Sequence, residues 1–168
     1  KDNCLAVTSG HLAMDDNQAF MLAKTLLWLA DPESFLRILS SEVTRHREQV
    51  SRRSAKTGEE WTQAVRLNGG TDIDWPASFF KGHPETTFYD YTKVEKRMYR
   101  AYPDNYSLTF SWGSANDRAV RRVLNKGHNV ALCVKQEEED RDFGLPWKNG
   151  DEDDARFLDP VGGYLITL

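Results

Sequence analysis

The stretch Thr86-Thr87-Phe88-Tyr89-Asp90-Tyr91-Thr92-Lys93-Val94 constrains this chain more than any other. Phe88, Tyr89 and Tyr91 are strand formers, and the residues from Val94 to Ala101 read as a helix, so a strand runs straight into a helix here. Strand side chains alternate, which puts Asp90 and Thr92 on the same face as Phe88. A carboxylate on an apolar, aromatic face is unfavourable unless it is paired or functional. The helix that follows is expected to carry Lys96, Arg97 and Arg100 on its outer side.

The remainder of the chain repeats this alternation. Asp15 or Asp16 starts a helix whose apolar stripe is Ala19, Phe20, Leu22, Ala23, Leu26, Leu27, Leu29 and Ala30. Asp31-Pro32-Glu33 starts a second helix, with Asp as cap and Pro in the first turn, and Phe35, Leu36, Ile38, Leu39 and Val43 are its expected buried face. Trp61 to Leu67 reads as a strand, turned over by Asn68-Gly69-Gly70-Thr71-Asp72 and followed by a short helix from Trp75 to Phe80. After the Phe88–Thr92 strand and its helix come a strand from Tyr106 to Phe110, a helix from Asn116 to Lys126 closed by Gly127, and an apolar strand from Asn129 to Val134. An acidic loop, 136–160, leads to a last strand from Gly163 to Leu168. This order predicts an α/β fold with a mostly parallel sheet, a partial or degenerate (β/α) barrel, in one domain over 1–168. In open sheets and barrels alike, ligand sites gather at the carboxyl ends of the strands.

Hydrophobic residues make up 39% and charged residues 29% of the 168, which is the balance of a soluble globular protein. The apolar runs are too short to span a bilayer, and Lys1-Asp2-Asn3-Cys4 shows no apolar leader, so a membrane location is not expected. Two distant cysteines, Cys4 and Cys133, make no disulfide framework and read as reduced thiols of a cytoplasmic protein. The net charge of −4 is local: residues 136–160 hold ten acidic against three basic side chains, and the remainder holds sixteen against nineteen. The charge balance therefore argues neither for nor against nucleic acid.

The strand ends collect one polar set: Arg66, Asn68, Asp72, Asp90, Thr92, Lys93, Ser111 and Lys135. Read functionally, they form a pocket for a small polar or anionic ligand, with a nucleotide-like molecule as one form. Arg66 and the lysines would supply charge, Asn68 and Thr92 orientation, and Asp90, with Lys93, the candidate catalytic groups. The bland reading of the same set is a buried ion-pair network at the strand ends. Asp151, Asp153, Asp154 and Asp159 could hold a divalent cation through oxygen ligands, but they fit no Ca²⁺-loop spacing and read better as a solvated loop. An Arg156–Asp159 ion pair is expected to pin that loop over the rim. The histidines show no metal-binding spacing, and no Gly-rich phosphate loop or nucleophile elbow occurs. A second class of function is an interaction protein that meets a macromolecule through the basic helix Thr44–Lys56 or the acidic loop. Nucleic-acid contact at that helix is weakly supported, because the basic run lacks interleaved aromatics.

Several pieces resemble the gene-product-88-like family of phage and prophage proteins. They are Arg66-Leu67-Asn68-Gly69 with Asp72-Ile73-Asp74-Trp75, Phe88-Tyr89-Asp90-Tyr91-Thr92-Lys93, Asn105-Tyr106-Ser107-Leu108-Thr109-Phe110-Ser111, and Asp151-Glu152 with Asp154 and Arg156-Phe157-Leu158-Asp159-Pro160. The resemblance runs from Cys4 onward and implies a phage-encoded protein of the host cytoplasm, distantly similar to radical-SAM-type barrels. It also implies an iron–sulfur cluster, and S-adenosylmethionine chemistry, in a longer chain that carries further cysteines upstream. Cys4 matches the last of those ligands, and one thiolate alone does not hold a cluster.

Overall fold

Asp31-Pro32 separates two helices, as expected. In the computed structural model, which describes residues 15–113, 116–133 and 144–168, α1 spans Asp15–Ala30 and α2 spans Pro32–Thr57. The Asp31 carboxylate accepts the Ser34 N–H at 3.0 Å and so satisfies one free donor of the first turn of α2. Gly58, at φ +74°, closes α2 in the left-handed conformation and donates its N–H to the Ser54 carbonyl. Trp28 and Phe35 pack edge to face between the two helices, with ring centres 5.6 Å apart. Val43 is buried, but Ile38, expected on the same face, is 52% exposed. A separation of five positions along the helix turns Ile38 by about 140° away from Val43. Phe20, Leu22, Leu26 and Leu29 of α1 are exposed as well. The basic end of α2 gains an aromatic neighbour that is distant in sequence, since the Arg53 guanidinium lies 3.7 Å from the centre of the Trp61 ring. These elements form one compact unit, Lys1–Gln63, and the sheet forms the second, Ala64–Leu168.

The second unit is a six-stranded sheet in which every pairing is parallel. Its strands are β1 (Ala64–Arg66), β2 (Thr87–Thr92), β3 (Tyr106–Ser111), β4 (Val130–Leu132), β5 (Trp147–Asn149) and β6 (Leu165–Thr167), in the spatial order β1-β2-β3-β4-β6-β5. The sheet is open, a partial barrel rather than a closed one. Paired residues of a parallel sheet point to the same side, so the register sorts the side chains. Phe88, Tyr106, Phe110, Val130 and Leu165 fall on one face. Arg66, Tyr89 and Ser107 fall on the other, as do Tyr91 with Thr109 and Ser111 with Ala131, Ile166 and Lys148.

Among the described residues of this unit, the helical connections cover the first face. Phe80, from α3 (Ala77–Lys81), stacks on Tyr106 at 4.1 Å and meets Phe88 edge-on at 5.2 Å. Val120 and Val123, from α4 (Asp117–Asn125), join Met98, Phe110, Val130 and Leu165 in one buried cluster. A doubly wound sheet would place helices on both faces; successive crossovers on one side belong to barrel winding. The second face is met instead by the loop that contains a 3-10 turn, Arg156–Leu158, whose Phe157 ring lies 5.6 Å from that of Tyr89.

Three expectations change. The helix expected from Val94 to Ala101 is a single 3-10 turn, Glu95–Tyr99. Arg97 and Met98 are both buried within it, so Arg97 is 3% exposed rather than outward-facing. The strand expected over Trp61–Leu67 covers only Ala64–Arg66, and the preceding Gln63 carboxamide donates to the Val43 carbonyl at 2.8 Å. The acidic loop contains a strand, β5, whose Trp-Lys-Asn sequence lacks the apolar run that marks a central strand and sits at the sheet edge. The described parts of the other expected strands and of the Asn116–Lys126 helix follow the sequence within a residue or two. Among the described residues no helix is long and apolar enough to cross a membrane.

Because Phe110 is fully buried between β4 and α4, Phe110→Ala should lower the unfolding free energy by about 3–5 kcal/mol. Urea unfolding followed by far-UV circular dichroism would check this, and a loss below about 1 kcal/mol would place the core elsewhere.

Candidate functional site

At the carboxyl end of β2 the alternation of the strand produces two separate polar clusters, one on each face. The first belongs to the helix-covered face. Asp90 has no exposure. Its carboxylate accepts the Asn68 backbone N–H at 2.7 Å, the Asn68 Nδ2 at 3.1 Å and the Tyr106 hydroxyl at 3.3 Å. Asn68 uses its other groups to shape the loop after β1. Its Oδ1 accepts from Thr71 Oγ1 at 2.8 Å and from the Ile73 N–H at 3.0 Å, and its Nδ2 also donates to the Ile73 carbonyl. The loop delivers Asp72, which accepts from Thr92 Oγ1 at 2.8 Å and from the Lys93 backbone N–H at 2.9 Å.

Arg97 ties these pieces together. One guanidinium nitrogen bonds and ion-pairs Asp72, another donates to the Tyr106 hydroxyl at 2.9 Å, and Asp74 lies 3.6 Å from Nε. Asp74 in turn pairs with Arg100 and accepts from Tyr102. The chain Asn68–Asp90–Tyr106–Arg97–Asp72–Thr92 is therefore continuous. Burial pushes the Asp90 carboxyl up to about 6, against the opposing pull of its hydrogen bonds and of the Arg97 and Arg66 charges. Of the expected set, the structure brings Asn68, Asp72, Asp90 and Thr92 together here, with their polar atoms turned on one another. Arg97 and Tyr106 were not anticipated, and no sequence signal marks Arg97, because a one-turn 3-10 element has too few residues to show a period.

The second cluster lies on the sheet face opposite α3 and α4. The Arg66 guanidinium carbon sits 4.4 Å from the centre of the Tyr91 ring. The Tyr89 and Tyr91 hydroxyls, two residues apart on β2, donate to the two oxygens of Asp154, each at 3.1 Å. Arg66 stands 3.8 Å from the same carboxylate, outside hydrogen-bonding range, and its buried Nε has no hydrogen-bond partner among the described residues. Burial, reinforced by the Asp154 charge, raises both phenols above the ordinary tyrosine range, so both remain donors through neutral pH. Ser111 belongs to this face by register, and its carbonyl accepts from Asn116 Nδ2 at 3.0 Å. The Lys93 side chain is exposed and reaches over Gly113, past the end of β3. Lys135 and Cys4 lie outside the described residues. Alternation along β2 already separated Tyr89 and Tyr91 from Asp90, but their hydroxyls convey a shared target only once Asp154 is in place.

The loop bearing Asp154 is anchored by other residues. Arg156, 3% exposed, donates to the Gly150 carbonyl at 3.0 Å and lies 3.4 Å from Asp159, the expected ion pair. Lys148 donates to Asp159 at 2.8 Å. Gly150 is the tight point, since a Cβ there would stand 2.6 Å from Arg156, Ile166 and Leu168 atoms. Among the described residues, no three His, Cys, Asp or Glu side chains gather as a group that could hold a metal ion.

Residues 1–166 match the family model described as gene product 88. The chain belongs to this family. No curated protein and no solved structure matches it. For this gene product 88 protein the buried network makes a definite pH prediction. The unfolded chain releases the Asp90 proton near 3.8 and the folded chain near about 6. The stability contribution of Asp90 is thus full below 3.8, falls as pH rises to about 6, and is flat above. The fall should be about 2–3 kcal/mol. Asp90→Asn, which cannot titrate and sets an NH₂ against the Asn68 Nδ2 donor, should be less stable at acid pH and lose this slope. Chemical denaturation of both proteins from pH 3.5 to 7.5 would test it; parallel profiles would exclude Asp90 as the source.

Proposed function

We propose that this phage protein is a binding protein for a small anionic ligand, held at the carboxyl ends of the strands on the sheet face opposite α3 and α4. The observation that carries this reading is Arg66. Its guanidinium is stacked on Tyr91, stands beyond hydrogen-bonding distance from the Asp154 carboxylate, and keeps a buried Nε donor without a partner among the described residues. A guanidinium so oriented has donors to offer an incoming oxyanion and has already lost much of its rotational freedom. Lys93 and Ser111, near the same strand ends, are the further members of the expected set that suit this role, and Lys135 stays with them as an expectation. Asn68, Asp72, Asp90 and Thr92 enter as the frame: their bonds fix the loop after β1 and the end of β2. Asp90 is on this reading a positioning residue, since every hydrogen bond it accepts comes from the frame.

A reduced radical-SAM-type barrel is the ancestry we propose for the frame. One-sided winding supports it, and does so for any barrel. It brings no cofactor into the reading: Cys4 is a single thiolate, and the residues of this sequence do not make up a cluster's ligand set.

Thermal-shift titration with inorganic phosphate, AMP, citrate and succinate would test the reading. At least one should raise the melting temperature in a saturable way. Arg66→Ala should weaken that binding about 10- to 100-fold while the far-UV spectrum is retained, the range expected for losing a charge-assisted hydrogen bond. Absence of any saturable shift, or an unchanged affinity in Arg66→Ala, would overturn it.

A further inference from the structure

We infer that Asp154 occupies the anion site as an internal stand-in for the ligand, and that the ligand group which replaces it is a carboxylate. This inference rests on the anion-binding reading of Arg66 and deepens it. Two phenol hydroxyls from one strand converge on one carboxylate, one on each oxygen, at equal 3.1 Å distances. That is the geometry of a receptor for a two-oxygen planar anion, with Arg66 alongside to balance its charge. Asp154 fills the site only partly. Its side chain is 59% exposed, and it leaves Arg66 at 3.8 Å, so a carboxylate free to approach could satisfy the guanidinium that Asp154 does not reach.

The surrounding loop does not need the contact. Arg156 is bound to the Gly150 and Asp153 carbonyls, Asp159 takes Lys148 and Arg156, and Phe157 packs on Tyr89. None of these bonds involves the Asp154 carboxylate, which can swing into solvent while the loop keeps its place. A residue that served only to fasten the loop would be expected among the buried anchors, where Asp159 is 1% exposed, rather than at the open end. The arrangement makes Asp154 an intramolecular competitor. Apparent affinity falls by the fraction of molecules in which the site is free, so a site free about one-tenth of the time binds about tenfold more weakly than an unblocked one.

The test uses the full chain and calorimetric titration with succinate and, separately, inorganic phosphate. Asp154→Ala should bind succinate about tenfold more tightly than the unaltered protein, and Tyr91→Phe introduced into Asp154→Ala should reverse most of the gain. Asp154→Asn, which keeps the shape and removes the charge, should give a gain in the same direction and serves if the alanine variant is not folded. Succinate binding of equal strength with and without Asp154 would overturn the inference while leaving the Arg66 site standing. A gain confined to phosphate would overturn the carboxylate assignment. No binding of either anion by the unaltered protein or by either Asp154 variant would overturn this inference and count against the anion-binding reading itself.

Discussion

A carboxylate with no access to solvent governs the sheet end. Asp90 lies among aromatic side chains on the helix-covered face, where an unsatisfied charge would be strongly disfavoured. Its three donors come from two different segments: the loop after β1 through Asn68, and β3 through Tyr106. Arg97 then extends the connection from Tyr106 to Asp72, and Asp72 returns it to β2 through Thr92 and Lys93. Removal of any one member leaves a buried donor or acceptor without its partner, which is why such networks are specific about geometry. The loop from Asn68 to Asp74 thus has one arrangement, imposed by the need to satisfy Asp90. Four of the eight residues that the sequence offers as a ligand site, Asn68, Asp72, Asp90 and Thr92, are consumed in that task.

The same strand separates structure from recognition by parity. Phe88, Asp90 and Thr92 point into the helix-covered side, while Tyr89 and Tyr91 point away from it, with Arg66 beside Tyr89 by register. Because the described helical connections of the sheet unit lie on one side, the other side carries hydroxyls, a guanidinium and a lysine beside the buried Ala131 and Ile166. Barrel winding explains why that face can be polar without loss of the core: the buried cluster of Met98, Phe110, Val120, Val123, Val130 and Leu165 is complete on one side.

Much of this was legible in the residues. Strand–helix alternation gave the parallel sheet, since apolar runs of strand length between helix-period segments have few other solutions. The face shared by Phe88, Asp90 and Thr92 followed from alternation alone, and the N-terminal cap of α2 followed from Asp31 and Pro32. The Arg156–Asp159 pair could be read because opposite charges three residues apart in a short turn meet. The inward turn of Arg97 could not be read, because it depends on a 3-10 turn too short to carry a period. Nor could β5, whose edge position relieves it of the apolar pattern. The rim set was conceived as one cluster, and its division between two faces shows the limit of strand-end reasoning: it locates residues along the strand axis but ignores the side on which they emerge. The family resemblance read from Phe88–Lys93 and Arg156–Pro160 is the membership that the whole-chain family match shows.

The acidic segment carries the last distinction. Asp154 and Asp159 are five residues apart and chemically identical, yet their environments assign them opposite roles. Asp159 is buried between a lysine and an arginine, and a charge in that position is tolerable only while both partners remain. Asp154 is mostly exposed, and its arginine lies at a distance where an ion pair contributes about 0–1 kcal/mol. Each tyrosine hydrogen bond to it adds about 1 kcal/mol at most, since water competes for every group involved. The loop is therefore held by contacts that are hard to break and touches the polar face through contacts that are easy to break. Composition sees only a run of acids; the difference between a structural and an exchangeable carboxylate comes from which of them the sheet has surrounded.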